Sequence, residues 1–356
     1  MRKYVIPIAG LTMAAVVFSG CGNGNVSKSQ DKKVKEEVTT SSDSGKSERD
    51  IFAMDTYMTV TAYGDNSEDA VDKAEKRIEE LDSLLSTGDE GSEVYALNQS
   101  GHGKLSEDGM YLLKKSLEIN KSTDGAFNPA IYPIMELWGF TDQNYKVPDE
   151  AQIKEKLKLT DVLQIKYDES TGQVDLETDG MKIDFGGIAK GYTSSQIMEI
   201  FEENGIESGM VSLGGNVQVL GGKPDGSSWR VAVQNPNEEE NYLGILEIKD
   251  KAVITSGGYE RYFEENGKTY HHIIDAANGY PADSGLTSVT IICSDGTLAD
   301  GLSTSLFIMG LDKAAEYWDA HRDEFDMILY TKDGGLYITE GIEEDFTSDY
   351  QVKTIK

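Results

Sequence analysis

Apolar residues recur along the chain with two different spacings, and these predict a succession of strands and helices. The stretch IFAMDTYMTVTAYG at 51–64 alternates apolar and polar positions, which predicts a strand, whereas residues 68–86 repeat apolar side chains at helical spacing. Similar patterns predict further helices at 107–123, 149–158, 193–205, 298–310 and 311–322. They predict further strands within 161–185, 209–222, 227–236, 286–293 and 325–340. Strand hairpins mixed with separated helices are typical of an α+β fold rather than of a doubly wound sheet.

The first twenty residues differ in composition from the rest of the chain. Arg2 and Lys3 give a basic start, which is followed by an apolar stretch and by small residues directly before Cys21. This order is typical of a lipoprotein signal. It predicts that lipid on the Cys21 thiol holds the mature protein at the extracytoplasmic face of the cell membrane. The alternative is an ordinary secretory signal followed by an unrelated cysteine.

The remaining sequence divides into three parts after the signal at 1–20. Residues 21–50 begin with the cysteine and contain few large apolar side chains, so we expect a flexible linker there. The periodic patterns place the folded domain at 51–345 and leave 346–356 as a C-terminal tail.

The chain is strongly acidic, which limits the partners that it can bind. Its 356 residues have a formal net charge of −30, and loss of the signal, which contains two basic residues and no acid, makes it −32. Such a surface repels nucleic acid and anionic headgroups, so we expect no nucleic-acid partner and a membrane attachment through lipid rather than charge. An anionic ligand would need a local cation, a glycine-rich backbone or a metal ion.

The sequence KIDFGGIAKGY at 182–192 is the first candidate for such a ligand site. A strand would deliver Asp184, the double glycine would let the backbone approach a ligand, and a helix would begin near residues 191–193. Free amides at a helix start and the Lys190 ammonium both favour an anion such as phosphate. The alternative is a plain strand-to-helix turn with a surface lysine.

The sequence TLADGLSTSLF at 297–307 is a candidate metal site. Asp300 and Thr304 lie four residues apart, so a helix would place one carboxylate and one hydroxyl on the same face. Oxygens of this kind suit a hard cation such as Mg²⁺. The alternative is a helix N-terminal acid and a buried threonine that bonds back into its own helix.

The sequence TYHHIIDAANGYP at 269–281 holds two of the four histidines. Adjacent residues of a strand point to opposite faces, so only one of these histidines would face a site. That histidine could act as general base on a hydroxyl, with Asp275 as a nearby carboxylate that orients it. The alternative is a pair of structural or exposed histidines.

Together these segments resemble the ApbE-type FAD:protein FMN transferases, and the resemblance runs in order from about residue 51 to about residue 340. The motifs that carry it are MDTYMTV at 54–60, GAFNPAIYPIMELWGF at 125–140, KIDFGGIAKGY at 182–192, VSLGGNV at 211–217, WRVAVQNP at 229–236, ITSGGYERYF at 254–263, HHIIDAANGYP at 271–281 and ADGLSTSLFIMG at 299–310. The resemblance implies a single large domain of mixed and antiparallel sheets flanked by helices, with the active site in a cleft between two halves.

The resemblance also implies a reaction and a set of residues. The reaction is Mg²⁺-dependent transfer of FMN from FAD, through a phosphoester bond, to a Thr or Ser hydroxyl of an acceptor protein, with release of AMP. The acceptor would be an extracytoplasmic redox protein. By motif position, the implied FAD contacts are Met54, Ala126, Phe127, Asn128, Asp184, Lys190, His272 and Ile274. The implied metal ligands are the Gly187 carbonyl, Asp300 and Thr304. His272 or Asp275 would be the catalytic group that activates the acceptor hydroxyl.

Three other functions are compatible with parts of this pattern. Water in place of the acceptor hydroxyl would make the protein an FAD pyrophosphatase that yields FMN and AMP. A flavin-binding lipoprotein without catalysis would not need Asp300 or Thr304 as metal ligands. A generic solute-binding lipoprotein would explain the signal and linker but none of the glycine motifs. The sequence departs from the family pattern at Gly88, where many members have an aromatic residue, and at Asn128, where aspartate is also common.

Overall fold

The computed structural model describes residues 45–238 and 240–356, so the predicted signal, Cys21 and most of the predicted linker lie outside the described residues. The helices are α1 (Ser67–Leu85), α2 (Glu93–Ser100), α3 (Glu107–Ser122), α4 (Tyr132–Trp138), α5 (Glu150–Leu157), α6 (Ala189–Glu203), α7 (Gly296–Met309) and α8 (Leu311–Ala320). The strands up to the middle of the chain are β1 (Lys46–Ala53), β2 (Thr56–Tyr63), β3 (His102–Lys104), β4 (Ile165–Asp168), β5 (Gln173–Leu176), β6 (Ser208–Leu213), β7 (Asn216–Leu220), β8 (Trp229–Gln234) and β9 (Tyr242–Ile248). The later strands are β10 (Ala252–Gly257), β11 (Tyr262–Glu265), β12 (Lys268–His271), β13 (Ile274–Asp275), β14 (Tyr280–Pro281), β15 (Leu286–Cys293), β16 (Asp326–Thr331), β17 (Leu336–Thr339), β18 (Phe346–Thr347) and β19 (Val352–Ile355).

Nine strands form the main sheet, in the order β1-β2-β6-β7-β10-β15-β16-β17-β19. Neighbouring strands pair antiparallel except for the last pair, β17 and β19, which is parallel. A three-stranded sheet of β18, β9 and β8 and a second one of β3, β5 and β4 accompany it. The α+β class predicted from the sequence is therefore confirmed.

The two faces of the main sheet are covered by different layers, as the period-two alternation of its strands requires. Val60 and Leu213 face the helices and pack in a core with side chains of α1 and α6. Val217 faces the opposite way and packs with Trp229 and Leu246 of the smaller sheet. Helix α7 lies on the same face as α6, against β10 and β15. This helical layer is the one that carries the candidate site.

The first predicted strand is in fact a hairpin of β1 and β2. Its two-residue turn is formed by Met54 and Asp55, which have φ values of 48° and 59°. Such turns usually contain Asn-Gly or Asp-Gly, so the sequence lacks the usual turn signal and the alternation continues through it. The prediction of one continuous strand was wrong for this reason.

The two edge strands of the main sheet also change the limits of the folded region. Strand β1 begins at Lys46, and β19 at Val352–Ile355 lies beside β17. The folded region therefore extends beyond the predicted limits of 51 and 345.

Within the described part of the chain, no helix is long and apolar enough to cross a bilayer.

Candidate active site

The candidate site lies where α6 and α7 cross, and glycine at position 191 permits a very close crossing. A Cβ atom on Gly191 would lie only 2.1 Å from the carbonyl oxygen of Gly296 and 2.6 Å from Cβ of Asp300. The Gly191 amide donates a hydrogen bond to Asp300 Oδ2 at 2.8 Å. The start of α6 therefore fixes the Asp300 carboxylate directly.

Asp300 is held from a second direction by a strand of the main sheet. The side-chain amide of Asn216, the first residue of β7, donates to Asp300 Oδ1 at 3.2 Å. Each carboxylate oxygen has about two lone-pair positions. Each oxygen of Asp300 therefore keeps acceptor capacity, although the side chain is only 5% exposed.

Thr304 lies one turn of α7 after Asp300 and is half-buried. Its hydroxyl oxygen is 3.2 Å from the hydroxyl oxygen of Ser256, on β10. Ser256 also lies 2.8 Å from the hydroxyl oxygen of Ser303. The structure thus places the two predicted side-chain ligands, Asp300 and Thr304, on one face of the same helix.

The Gly187 carbonyl, the third predicted ligand, lies just before the N-terminus of α6, whose N-cap residue is Ile188. The first amides of a helix have no partner within it, and that of Gly191 donates to Asp300 rather than to the Gly187 carbonyl. A carboxylate, a hydroxyl and a backbone carbonyl are hard oxygen donors of the kind that Mg²⁺ prefers.

These donors fit a metal ion that is completed by ligand oxygens rather than a site built of protein side chains alone. Across residues 45–238 and 240–356, no group of three or more His, Cys, Asp or Glu side chains is arranged to hold a metal. Mg²⁺ commonly takes one or two carboxylates and completes its octahedron with water and substrate phosphates. The single carboxylate of Asp300 matches that pattern.

The segment before α6 positions Asp184, and it does so without forming a strand. The side chain of buried Asn98 brackets Ile183: its Nδ2 donates to the Ile183 carbonyl at 2.8 Å and its Oδ1 accepts from the Ile183 amide at 2.7 Å. The Asp184 amide donates to the carbonyl of Pro129 at 2.8 Å. The predicted strand over KIDF was wrong because this backbone bonds to a side chain and a loop rather than to another strand.

Five charged side chains converge near the start of α6. Burial raises the pKa of the Asp184 carboxyl. The hydrogen bond from the Gly186 amide and the positive charges of Arg261 and Lys190 lower this pKa, but burial has the larger effect. Burial also raises the pKa of Glu260 to about 7, with Lys190 and Arg261 opposing and Asp300 reinforcing the shift. The Asp184 and Glu260 side chains both keep partial solvent contact. The positive charges of Lys190 and Arg261 act on both carboxyls.

Lys190 is the cation in this group that is free to bind a ligand. It is half-buried in the first turn of α6, and it forms no hydrogen bond or ion pair within the described part of the chain. Arg261, in contrast, donates from Nη2 to the Phe140 carbonyl at 2.6 Å. A half-buried ammonium whose donors make no direct contact with these acids can donate to the oxygens of an anionic ligand.

His272 is held as a neutral ring with one free nitrogen. Its Nδ1 lies 3.2 Å from the carbonyl oxygen of Arg261. A carbonyl can only accept, so Nδ1 carries the proton and Nε2 is left as an acceptor. Burial, together with the nearby Arg261 charge, lowers the pKa of His272 to about 3. The ring is therefore neutral at physiological pH.

Asp275 is not brought into contact with His272. Its Oδ1 accepts from the Ala277 amide at 2.9 Å, and its Oδ2 accepts from Asn278 Nδ2 at 2.6 Å. Both oxygens thus stabilise the turn between β13 and β14, and no hydrogen bond within residues 240–356 joins them to His272. The side chain of Ile274, on β13, is buried among apolar residues.

Met54 lies in the β1–β2 turn and reaches the first turn of α6. Its amide donates to Asp82 Oδ1 at 2.9 Å, and its sulfur lies 3.8 Å from the hydroxyl oxygen of Thr193, whose proton is donated to the Ala189 carbonyl. Left-handed φ values at two successive non-glycine residues are costly, and such strain concentrates at functional sites. Met54 is thus placed close to the start of α6 by a strained turn.

The predicted flavin-contact segment at 126–128 lies beside Gly187, but two of its side chains are used internally. Phe127 is 4% exposed, and a Cβ atom on Gly187 would lie 3.1 Å from its ring. Asn128 donates from Nδ2 to the Thr160 carbonyl at 2.9 Å and accepts from the Ala130 amide at 2.8 Å. Ala126 is half-buried. The Phe127 carbonyl and amide are also used internally, by Asn120 and Thr123, so the segment offers mainly its shape to a ligand.

Several residues of this site were not singled out by sequence analysis, namely Asn98, Asn216, Ser256, Glu260 and Arg261. Ser256, Glu260 and Arg261 all lie within the motif ITSGGYERYF. The adjacent opposite charges of Glu260 and Arg261 were the signal in the sequence that could have indicated this part of the site. Asn98 and Asn216 act through single contacts with residues that are distant in sequence. No periodicity or spacing in the sequence indicates such contacts.

Comparison with known proteins identifies the family of the chain. Residues 54–329 match the family described as the ApbE family. A relative named FAD:protein FMN transferase, from Klebsiella pneumoniae (strain 342), is 33% identical over 282 residues, which are 77% of this chain and 87% of the relative. A relative of the same name from Treponema pallidum (strain Nichols) is 34% identical over 254 residues, which are 67% of this chain and 70% of the relative. The crystal structure of the ApbE protein from Thermotoga maritima matches with a TM-score of 0.79 at 32% identity, over 84% of this chain and 99% of that chain.

Proposed function

The chain belongs to the ApbE family, and from this we propose that it is an enzyme that transfers FMN from FAD to an acceptor protein. The bond formed is a phosphoester with a Thr or Ser hydroxyl of the acceptor, and AMP is the leaving group. The observation that carries the proposal is Lys190, a half-buried cation that makes no hydrogen bond or ion pair within the described residues and lies next to Gly191, whose amide holds the Asp300 carboxylate.

The charges of the chain explain why these groups are needed together. FAD contains a pyrophosphate, and a protein with a net charge of −30 repels it unless local groups neutralise the charge. Lys190 and the amides at the α6 N-terminus would bind the phosphate oxygens. A Mg²⁺ ion held by Asp300, Thr304 and the Gly187 carbonyl would neutralise the pyrophosphate and stabilise the charge on departing AMP.

His272 would accept the proton of the acceptor hydroxyl. Its Nδ1–H is held by the Arg261 carbonyl, so its Nε2 lone pair is the free one. The hydroxyl oxygen forms a bond to the FMN phosphorus, the bond from that phosphorus to the AMP oxygen breaks, and the hydroxyl proton passes to Nε2. Burial is the main cause of the low pKa of His272, and bound phosphates would offset only the smaller contribution of the Arg261 and Lys190 charges. Asp275 stays a prediction in this role.

The test of this function measures both products of the reaction. The purified full-length chain is incubated with FAD, Mg²⁺ and a purified extracytoplasmic redox protein, and the acceptor is weighed by mass spectrometry while AMP is quantified. An acceptor heavier by one FMN, together with AMP, supports transfer. AMP without a heavier acceptor supports the pyrophosphatase alternative, and neither product supports flavin storage. Asp300→Asn is the matched negative control, because it keeps the side-chain shape while it removes the charge.

The location of the enzyme is a separate proposal. Lipid on Cys21 would hold it at the extracytoplasmic face of the cell membrane, where its acceptor would also be found. Cys21→Ala should move the protein from the membrane fraction to the soluble fraction and remove the lipid mass from the N-terminal peptide. A Cys21→Ala variant that remains in the membrane fraction would exclude this anchor.

A further inference from the structure

Four oxygens on β10 and α7 form a chain of hydrogen bonds whose direction can be deduced. The Ser303 hydroxyl donates to the carbonyl oxygen of Asp300 at 2.8 Å, so its single proton is used there. Ser256 lies 2.8 Å from the Ser303 hydroxyl oxygen, and it must therefore be the donor in that contact. With its own proton used, Ser256 can only accept from Thr304, 3.2 Å away.

The chain thus runs from the Thr304 hydroxyl, through Ser256 and Ser303, to the Asp300 carbonyl. It begins and ends on the two residues that would supply side chains to the metal. A threonine hydroxyl binds a cation through an oxygen lone pair, so its proton must point elsewhere. Ser256 is the acceptor that takes this proton.

We propose that Ser256 is a positioning residue that orients the Thr304 hydroxyl, so that its lone pairs face a divalent cation shared with Asp300. The inference rests on the proposed metal site and adds a residue that does not itself touch the cation. Groups that orient a metal ligand in this way typically change metal affinity by about 10–100-fold when they are removed.

The neighbouring residue on the same strand provides a matched control. Thr255 also makes a hydroxyl–hydroxyl contact, 2.8 Å from Thr290 on β15. Adjacent strand residues point to opposite faces, so this contact lies on the face away from α7. Thr255→Val removes one half-buried hydroxyl from the same strand, as Ser256→Ala does, without touching the hydroxyl chain.

The experiment titrates the full-length chain with Mn²⁺ alone and measures free Mn²⁺ by electron paramagnetic resonance. We expect Ser256→Ala to raise the Mn²⁺ dissociation constant about tenfold. Ser256→Thr, which keeps a hydroxyl at this position, and Thr255→Val should both bind Mn²⁺ like the unmodified chain. In assays of FAD cleavage, Ser256→Ala should raise the Mg²⁺ concentration for half-maximal rate, with little loss of rate at saturating Mg²⁺. A purely structural role would lower the rate at all Mg²⁺ concentrations.

The outcomes separate this inference from the proposed function. If Asp300→Ala abolishes Mn²⁺ binding while Ser256→Ala binds like the unmodified chain, the positioning role is overturned and the metal site stands. If Asp300→Ala also leaves Mn²⁺ binding unchanged, or if the unmodified chain binds no Mn²⁺, the metal site itself is overturned. Thermal unfolding of each variant checks that Ser256→Ala is folded, and an equal loss of Mn²⁺ affinity in Thr255→Val would count against the proposal.

Discussion

The backbone amide of Gly191 and the carboxylate of Asp300 are joined by a hydrogen bond of 2.8 Å, across 109 residues of sequence. The bond forms because α6 and α7 approach closely enough for backbone atoms to meet, which only glycine at 191 allows. One contact thereby places the carboxylate and fixes the start of α6. The helix crossing and the candidate metal site are the same structural feature.

Gly191→Ala should therefore damage both stability and metal binding. In a helix interior alanine is more favourable than glycine by about 1 kcal/mol. A loss of stability in Gly191→Ala would therefore come from the steric clash between α6 and α7 and not from helix propensity. With backbone atoms 2.1 Å from the new Cβ, we expect the free energy of unfolding to fall by about 3 kcal/mol, the upper end of ordinary overpacking. Chemical denaturation and Mn²⁺ titration measure the two effects. In the exposed loop, Gly88→Ala should change stability by no more than about 0.5 kcal/mol, and equal behaviour of the two variants would contradict the argument.

Lys190→Ala should weaken FAD binding more than it weakens the fold. Within the described part of the chain the Lys190 ammonium makes no hydrogen bond or ion pair, so its removal breaks no direct contact and takes away only its charge from Asp184 and Glu260. A charge-assisted hydrogen bond contributes about 1.5–3 kcal/mol, which corresponds to an FAD dissociation constant higher by about 10–100-fold. Calorimetric titration with FAD measures this, with the exposed Lys76→Ala on α1 as control. Unchanged FAD affinity in Lys190→Ala would remove the lysine from the ligand site.

Glu260→Gln should stabilise the ligand-free protein at high pH and not at low pH. The pKa of Glu260 is about 7 in the folded protein against an ordinary value of 4.5, mainly through burial, with Asp300 adding repulsion and Lys190 and Arg261 opposing it. Above pH 7 the folded state must keep a disfavoured carboxylate that unfolding releases, whereas below pH 4.5 the carboxyl is neutral in both states. We expect a gain of about 1–3 kcal/mol at pH 8 that vanishes by pH 4.5.

Denaturation of both proteins in metal-free buffer across this pH range measures the difference. The depressed pKa of His272, about 3, destabilises the folded state as pH falls below its ordinary value of 6.5. This effect is common to both proteins and cancels in their difference. A difference that is independent of pH, or larger at pH 5 than at pH 8, would mean that the Glu260 carboxyl is not disfavoured in the fold.

Most helices and strands whose apolar residues recur at regular spacing were predictable from the sequence. The polar contacts inside the site were not. Helices α1, α3 and α7 follow uninterrupted apolar spacing, and the structure contains all three. The segment around Asp184 fails as a strand because Asn98, 85 residues from Ile183, takes both of that residue's backbone groups. Such a contact forms only when the chain folds, so no regular spacing of residues in the sequence indicates it.

The roles of individual polar residues show the same limit. Asp275 lies in a motif that indicates chemistry, yet both of its oxygens bond within its own turn. Ser256 was not singled out within its motif, yet it lies between two helix hydroxyls. Residue type and spacing predict which segments meet, whereas the direction of a hydrogen bond depends on side chains from several elements.

Asp55→Gly should raise stability, because the β1–β2 turn holds two non-glycine residues with left-handed φ values. Asp55 has a φ of 59°, a conformation that glycine adopts without steric penalty. We expect the free energy of unfolding to increase by about 0.5–1 kcal/mol, since the relief of strain exceeds the extra entropy that glycine gives the unfolded chain. Asp65→Gly, at an exposed position with ordinary φ, should be neutral or destabilising, and denaturation measures both. Met54 is unchanged in Asp55→Gly, so FAD affinity should stay the same. A fall in stability together with weaker FAD binding would mean that the Asp55 carboxylate, rather than the shape of the turn, serves the site.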